Sequence, residues 1–199
     1  LPVKESKIYC IDDNFEQLNE AELFAIFEYF QQDDFEIDAN LGAYLASLKS
    51  GDFSPEVWRL QPRFNVEELK KRFINLFALD GRVSKAIRRM HRLGIIEHIL
   101  PEFEKSVRIR SERPTDPYTV GKHLMEAVAN LDDIRNAEIK TLHEIYLQIA
   151  DPSTLYFALL MHDFDKPGKN HAITGAQKIE RIAAPLGFNL MQMEEIAFL

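Results

Sequence analysis

The chain has 199 residues, 46% of them hydrophobic, with 24 Lys and Arg against 32 Asp and Glu and a formal net charge of −8. That length buries roughly 70% of the surface an unfolded chain exposes, enough for one core, and the acidic balance argues against a polyanionic partner such as bulk nucleic acid or an anionic membrane. The lone cysteine, Cys10, excludes an internal disulfide and fits a reducing cytoplasm, and no apolar stretch approaches the ~18 residues of a membrane-spanning helix.

Residues 1–14 carry little periodicity, and Ile8-Tyr9-Cys10-Ile11 reads as a short extended piece or a linker. Asn19 with Glu22 three residues on is a helix-start signal, and Leu23, Phe24, Phe27 and Phe30 follow at helical spacing. Asp38 opens a second helix with Leu41, Tyr44, Leu45 and Leu48 on one side, closed by Ser50-Gly51-Asp52. Ser54-Pro55 predicts a short third helix carrying Trp58, because proline at the first helical position gives up no hydrogen bond. From Asn65 a longer helix gathers Leu69, Phe73, Ile74 and Phe77, an aromatic stripe that reads as core.

Arg82, Lys85, Arg88, Arg89 and Arg92 form a basic run in an otherwise acidic chain, continued by Lys105, Arg108, Arg110 and Arg113. Such a run is either a solvated helix face or the rim of a phosphate-binding mouth, since guanidinium groups hold phosphates bidentately. Arg110 and Arg113, close in sequence to His123, are the candidates for phosphate contact. His91 and His98 read as structural or surface residues.

Pro114 and Pro117 break the chain, and residues 118–134 then predict a helix with Val120, Leu124, Ala127, Val128 and Leu131 inward and His123 on the flank. Residues 141–150 predict another helix, on which no partner pattern surrounds His143. Asp151-Pro152 restarts the chain into an apolar run, residues 155–161, that stops at His162-Asp163. A run this apolar is buried, so the polar pair at its end reaches the floor of a cleft rather than open solvent.

Burying a carboxylate beside an imidazole is unfavourable unless both are paired, hydrogen-bonded or bound to a cation. Metal ligation explains the pair economically, and two ordinarily satisfied polar residues explain it plainly. Pro167 and Gly168 break the helix, and the turn returns His171 nine residues after His162. With His123, three imidazoles and a carboxylate on three helices suit a first-row divalent cation that keeps positions open to water. Residues 172–184 predict a helix in which Gly175 and Ala176 permit close approach of a neighbour, ended by Pro185 and Gly187. The chain opens on Leu rather than Met, and its last ten residues predict a helix without a stop signal. Both features read as a fragment of a longer chain.

Three blocks carry a family resemblance: Tyr118-Thr119-Val120-Gly121-Lys122-His123, Leu159-Leu160-Met161-His162-Asp163-Phe164-Asp165-Lys166, and Asn170-His171-Ala172-Ile173-Thr174-Gly175-Ala176. Their order and spacing resemble the HD phosphohydrolase superfamily, and more narrowly the HD domain of bacterial PII uridylyltransferase/uridylyl-removing enzymes. Met90 to Phe103 is similar to the segment preceding that core. Residues 15–80 resemble, more loosely, the bundle linking the nucleotidyltransferase and HD domains.

The resemblance implies an all-α fold, with residues 1–85 a helical linker region and residues 86–199 an HD domain truncated at its C-terminus. It implies that His123, His162 and Asp163 hold a divalent metal ion (Mg, Mn, Fe or Zn), with His171 completing that sphere or helping to hold a second ion. Asp163 and Lys166 take catalytic roles, Lys166 placing positive charge near a phosphate or pairing with Asp163, and Asp165 is read as neutralising Lys166. The implied reaction is hydrolysis of a phosphomonoester or phosphodiester, the substrate being a nucleotide, another phosphoester or a nucleotidylated protein. A further Asp and a further His supplied by family members from a later helix fall beyond Leu199.

The chain departs from the subfamily pattern at Asp116, where a histidine is common, and at Gly121, where Asp is usual. These changes favour a second reading, a degenerate HD domain acting as a non-catalytic regulatory or interaction module, which the joint presence of His123, His162, Asp163 and His171 opposes. A third reading joins the HD domain to a nucleotidyltransferase of another kind, with a nucleotide as substrate.

Overall fold

Asn19 and Glu22 exchange side-chain to backbone hydrogen bonds of 3.0 Å each, a reciprocal cap that starts helix α1 (Glu20–Gln32). The computed structural model describes residues 3–4, 7–8, 18–32, 35–50, 65–79, 81–109, 119–166 and 171–199. Cys10, the expected Trp58 helix, Arg110, Arg113 and Asp116 lie outside the described residues. The fold is all-α, apart from a small sheet of two-residue strands: β1 (Val3–Lys4) pairs antiparallel with β2 (Lys7–Ile8), which pairs parallel with β3 (Glu36–Ile37).

Helix α2 spans Ala39–Ser50, with the Asp38 carboxylate accepting from Asn40 N at 2.8 Å. Helix α3 spans Val66–Ala78, and the Asn65 side chain caps it by accepting from the backbone N–H groups of Glu67 and Glu68. After Gly81 come α4 (Val83–Arg92), the single turn α5 (Ile96–Ile99) and α6 (Pro101–Arg108). Helix α7 (Val120–Arg135) is capped by the Thr119 hydroxyl. It packs against α4 and α6 and against α9 (Pro152–Met161), which in turn packs on α3 and α11 (Leu190–Phe198). Between α9 and α11 lies α10 (His171–Ala183), ended by a 3₁₀ turn and Gly187 at φ 100°.

One hydrophobic core joins these helices. Phe24, Phe27, Phe73, Phe77, Tyr156 and Phe157 are fully buried in it. Phe77 stacks on Tyr156 at 6.0 Å between ring centroids, which brings α3 against α9. Helix α9 is apolar nearly all round and buries Tyr156, Phe157, Ala158, Leu160 and Met161, as its sequence requires of a central helix.

The helix expected over residues 141–150 is shorter, spanning Lys140–Tyr146 as α8. Of its residues only Tyr146 is buried, while Ile145 and Leu147 stay 57% and 68% exposed. With little packing to extend it, the chain tightens into three-residue turns, Gln148 N to Ile145 O and Ile149 N to Tyr146 O, both 3.0 Å.

Three members of the basic run are engaged at helix contacts. Arg82 pairs with Asp133 and Glu138, Arg88 pairs with Glu126, and Arg89 lies 5.0 Å over the Phe30 ring. The acidic partners sit on α7 or just after it.

Candidate metal centre

Helix α9 ends at His162, whose backbone is still helical, and Asp163 follows in the turn with Phe164 N bonded to Met161 O at 3.1 Å. The apolar helix therefore sinks the carboxylate, and Asp163 is only 8% exposed. From α7, His123 reaches across to the same place. His123 Nε2 lies 3.1 Å from His162 Nε2, and Asp163 Oδ2 lies 3.5 Å and 3.4 Å from these two nitrogens. These three side chains, two of them 39 positions apart in sequence, lie together, their donor atoms all within 4.8 Å of one another.

The donor set fits a cation. A carbonyl oxygen only accepts, so the 2.8 Å contact of His162 Nδ1 with Leu159 O places the ring proton on Nδ1. In the neutral ring Nε2 then carries a bare lone pair, aimed at a second imidazole nitrogen and a carboxylate oxygen. Three electron-rich atoms this close repel unless a proton or a metal ion lies between them. Ligands about 2.0–2.1 Å from a first-row metal ion sit roughly 3.0–3.4 Å apart in tetrahedral or octahedral geometry, close to the edges of this triangle. The Nδ1 bond to a backbone carbonyl is also how metal-bound imidazoles are commonly oriented.

Lys166 reaches the same oxygen, with Nζ 2.5 Å from Asp163 Oδ2, so a positive charge already stands beside the carboxylate. Asp165 does not neutralise Lys166 as expected. It turns the other way, onto α10, where it accepts from the Thr174 hydroxyl and pairs with Lys178 at 2.5 Å. Thr174 and Lys178, at helical spacing on the next element, were the partners the sequence obscured. His171 is the first residue of α10, although its side chain lies outside those described.

The other described histidines are engaged elsewhere. His91 Nδ1 lies 2.5 Å from a Glu97 carboxylate oxygen, with its ring edge-on to Phe103, and His143 donates from Nδ1 to Ile134 O at 3.0 Å. Both are structural.

Two residues that support the site carried no sequence signal as such. Asp132 on α7 is fully buried and accepts from Val83 N at 3.1 Å, Ser84 N at 2.8 Å and the Tyr156 hydroxyl at 2.8 Å. It thereby caps the N-terminus of α4 from another helix and ties α7, which bears His123, to α9, which delivers His162. Burial, then the charge of Asp132 and its hydrogen bond, pushes the Tyr156 hydroxyl well above the ordinary phenol range, so it stays a donor.

The chain is 30% identical over 140 residues to a bifunctional uridylyltransferase/uridylyl-removing enzyme of Ruegeria pomeroyi, an alignment covering 68% of this chain and 15% of the relative. The chain is homologous to part of the uridylyltransferase/uridylyl-removing enzymes. It is also 28% identical over 137 residues to the enzyme of that name from Cereibacter sphaeroides, covering 66% of this chain and 15% of the relative. A 24% identity over 203 residues with the Haemophilus influenzae enzyme covers 95% of this chain and 23% of the relative. The chain thus spans well under a third of the length of these uridylyl-removing relatives. No protein-family model matches it.

One departure from the uridylyl-removing pattern has a steric cause. A Cβ on Gly121 would lie 2.8 Å from both Val107 Cα and Cγ2, so α6 and α7 cross where position 121 has no side chain. An Asp there would require α6 to move.

Proposed function

We propose that this protein is a metal-dependent phosphohydrolase of the HD type that cleaves a phosphoester, a nucleotidylated protein being the substrate suggested by the names of its relatives. The observation that carries this reading is the triangle of His123 Nε2, His162 Nε2 and Asp163 Oδ2, with edges of 3.1, 3.4 and 3.5 Å. On this reading residues 86–199 are the catalytic unit and residues 1–85 its helical preamble, buttressed where Phe77 meets Tyr156.

His123, His162 and Asp163 would hold the ion, with His171 the candidate fourth ligand at the start of α10. A divalent ion so held supplies a water of lowered pKa and offsets charge on a phosphoryl oxygen. The chain's own residues supply the rest. Leu159 O fixes the tautomer of His162 and points Nε2 inward. Asp163, buried and with one oxygen facing both imidazoles, is placed to ligate and to take up a proton. Lys166, on the same oxygen, supplies positive charge for a phosphate entering beside it. Arg110 and Arg113 remain candidates for further phosphate contact.

The test is hydrolysis of bis(p-nitrophenyl) phosphate and of a uridylylated protein, with Mn2+ added and with EDTA. Loss of at least about a hundredfold in kcat/KM in His162→Ala and Asp163→Ala is expected, the size of effect that removing a metal ligand produces. Unchanged hydrolysis in both variants removes the enzyme reading. A non-catalytic interaction module would then stand, favoured by the exposed Ile139, Leu142, Ile145 and Leu147 on and beside α8.

A further inference from the structure

Asp165, in the turn after α9, bridges that turn to α10. Asp165 accepts from the Thr174 hydroxyl through one carboxylate oxygen and pairs through the other with Lys178 Nζ at 2.5 Å. Neither contact is local, the partners lying nine and thirteen residues along the chain. Both partners belong to the helix that begins with His171.

Positions 171, 174 and 178 are spaced i, i+3 and i+7, which places them on one face of α10. The face that Asp165 grips is therefore the face on which position 171 stands. Gly175 lies between the two gripped residues, where an added Cβ would sit 3.6 Å from the Phe164 ring and 3.9 Å from Asp165 Cβ. Helix and turn thus approach to within about one methyl group at Gly175, and the Asp165 bonds fix their rotation at that approach. Asp165 itself is two residues from Asp163, so the clamp acts on the backbone that carries His162 and Asp163.

We infer that Asp165 is a positioning residue: through Thr174 and Lys178 it locks the rotation of α10 against the His162-Asp163 turn, and so sets where the His171 position stands relative to the candidate metal centre. This rests on the metal-site reading and deepens it. An ion pair with Lys178 half exposed contributes little to overall stability, so the role belongs to geometry. Residues that orient metal ligands from outside the coordination sphere typically alter affinity tenfold or more.

The experiment is Mn2+ titration of the metal-free protein by calorimetry, with the visible spectrum of the Co2+ form as a second readout. Asp165→Ala and Lys178→Met are compared with wild type, with Phe24→Leu as a variant that weakens the core at α1, away from the site, and with His162→Ala. Asp165→Ala is expected to lower Mn2+ affinity roughly tenfold and to alter the Co2+ absorption bands. Its metal-free Tm should fall by less than about 4 °C. Lys178→Met moves affinity in the same direction, and because it leaves the turn's own sequence intact it reports even where Asp165→Ala fails to fold. Phe24→Leu lowers Tm and leaves affinity unchanged.

Wild-type affinity in both Asp165→Ala and Lys178→Met, alongside loss of binding in His162→Ala, overturns the clamp and spares the metal site. Absence of Mn2+ and Co2+ binding by the wild type overturns both.

Discussion

At Gly121 two effects oppose each other, and their sizes decide the outcome. Replacing a helical glycine with alanine gains at most about 1 kcal/mol of helix propensity, and less at Gly121, the second residue of α7. Here the new methyl would lie 2.8 Å from Val107 Cα, a backbone atom that cannot rotate away, and overpacking of this kind costs about 1–3 kcal/mol. The helices are also bonded just beside this point, Val120 N to Ile109 O at 2.9 Å, which limits how far they can part. Gly121→Ala should therefore be net destabilising, and Gly121→Asp more so, because a buried carboxylate is added to the clash. Chemical denaturation of the two variants measures this, and an increase in stability in either would show that α6 yields freely. The same position explains how a departure from the uridylyl-removing pattern can coexist with a converged His-His-Asp cluster: glycine answers to Val107, not to the cluster.

Between elements, the strongest ties are buried hydrogen bonds rather than the surface ion pairs. Asp132 satisfies two N–H groups at the start of α4 and takes the Tyr156 hydroxyl, so Tyr156→Phe removes one of three donors from a buried carboxylate. Hydrogen bonds to charged groups contribute about 1.5–3 kcal/mol, and a loss of that order is expected in urea denaturation of Tyr156→Phe. A second tie is pH-dependent. Asp151 caps α9 and accepts from Gln192 of α11 at 2.6 Å. Burial pushes its carboxyl upward, but the bonds from Gln192, Thr154 and Ser153 outweigh that and hold it below the ordinary carboxylate range. A lowered folded-state pKa gives stability that is present above the unfolded value near 3.9 and is lost as pH falls through the folded one. Asp151→Asn should thus be less stable than wild type at pH 7, the gap narrowing below about pH 4. A gap constant from pH 7 to pH 3 would show that Asp151 holds the helices without its charge.

In the molecule as a whole, what was legible in the sequence is what depends on short-range order. The capped helix at Asn19, the helix from Asn65 and the apolar α9 follow from periodicity, whereas the convergence of His123 with His162 and Asp163 was implied by the family resemblance of the blocks that carry them. The reach of Asp132 to partners 24, 48 and 49 residues away follows from neither, because an aspartate inside a helix looks like any exposed one. The Arg82 and Arg88 pairs were hidden for the same reason. Asp165 was misread because its nearest cation in sequence, Lys166, is not its partner in space. These long-range ties leave α7 and the turn after α9 as separate elements meeting at the His123, His162 and Asp163 cluster, and that arrangement predicts how a bound ion acts on the entire fold. An ion ligated by His123, His162 and Asp163 binds the folded chain and not the unfolded one, where the ligands are far apart. At a free concentration of a hundred times Kd it adds about 2.7 kcal/mol to stability. For a chain of this size each kcal/mol raises Tm by about 2–4 °C, so Mn2+ at that concentration should raise Tm by roughly 5–10 °C, reversed by EDTA. His123 is exposed, and His123→Ala should leave the metal-free Tm nearly unchanged while abolishing most of the Mn2+ shift. Thermal scans of both proteins with and without Mn2+ decide it: an equal shift in wild type and His123→Ala would mean that the ion binds elsewhere.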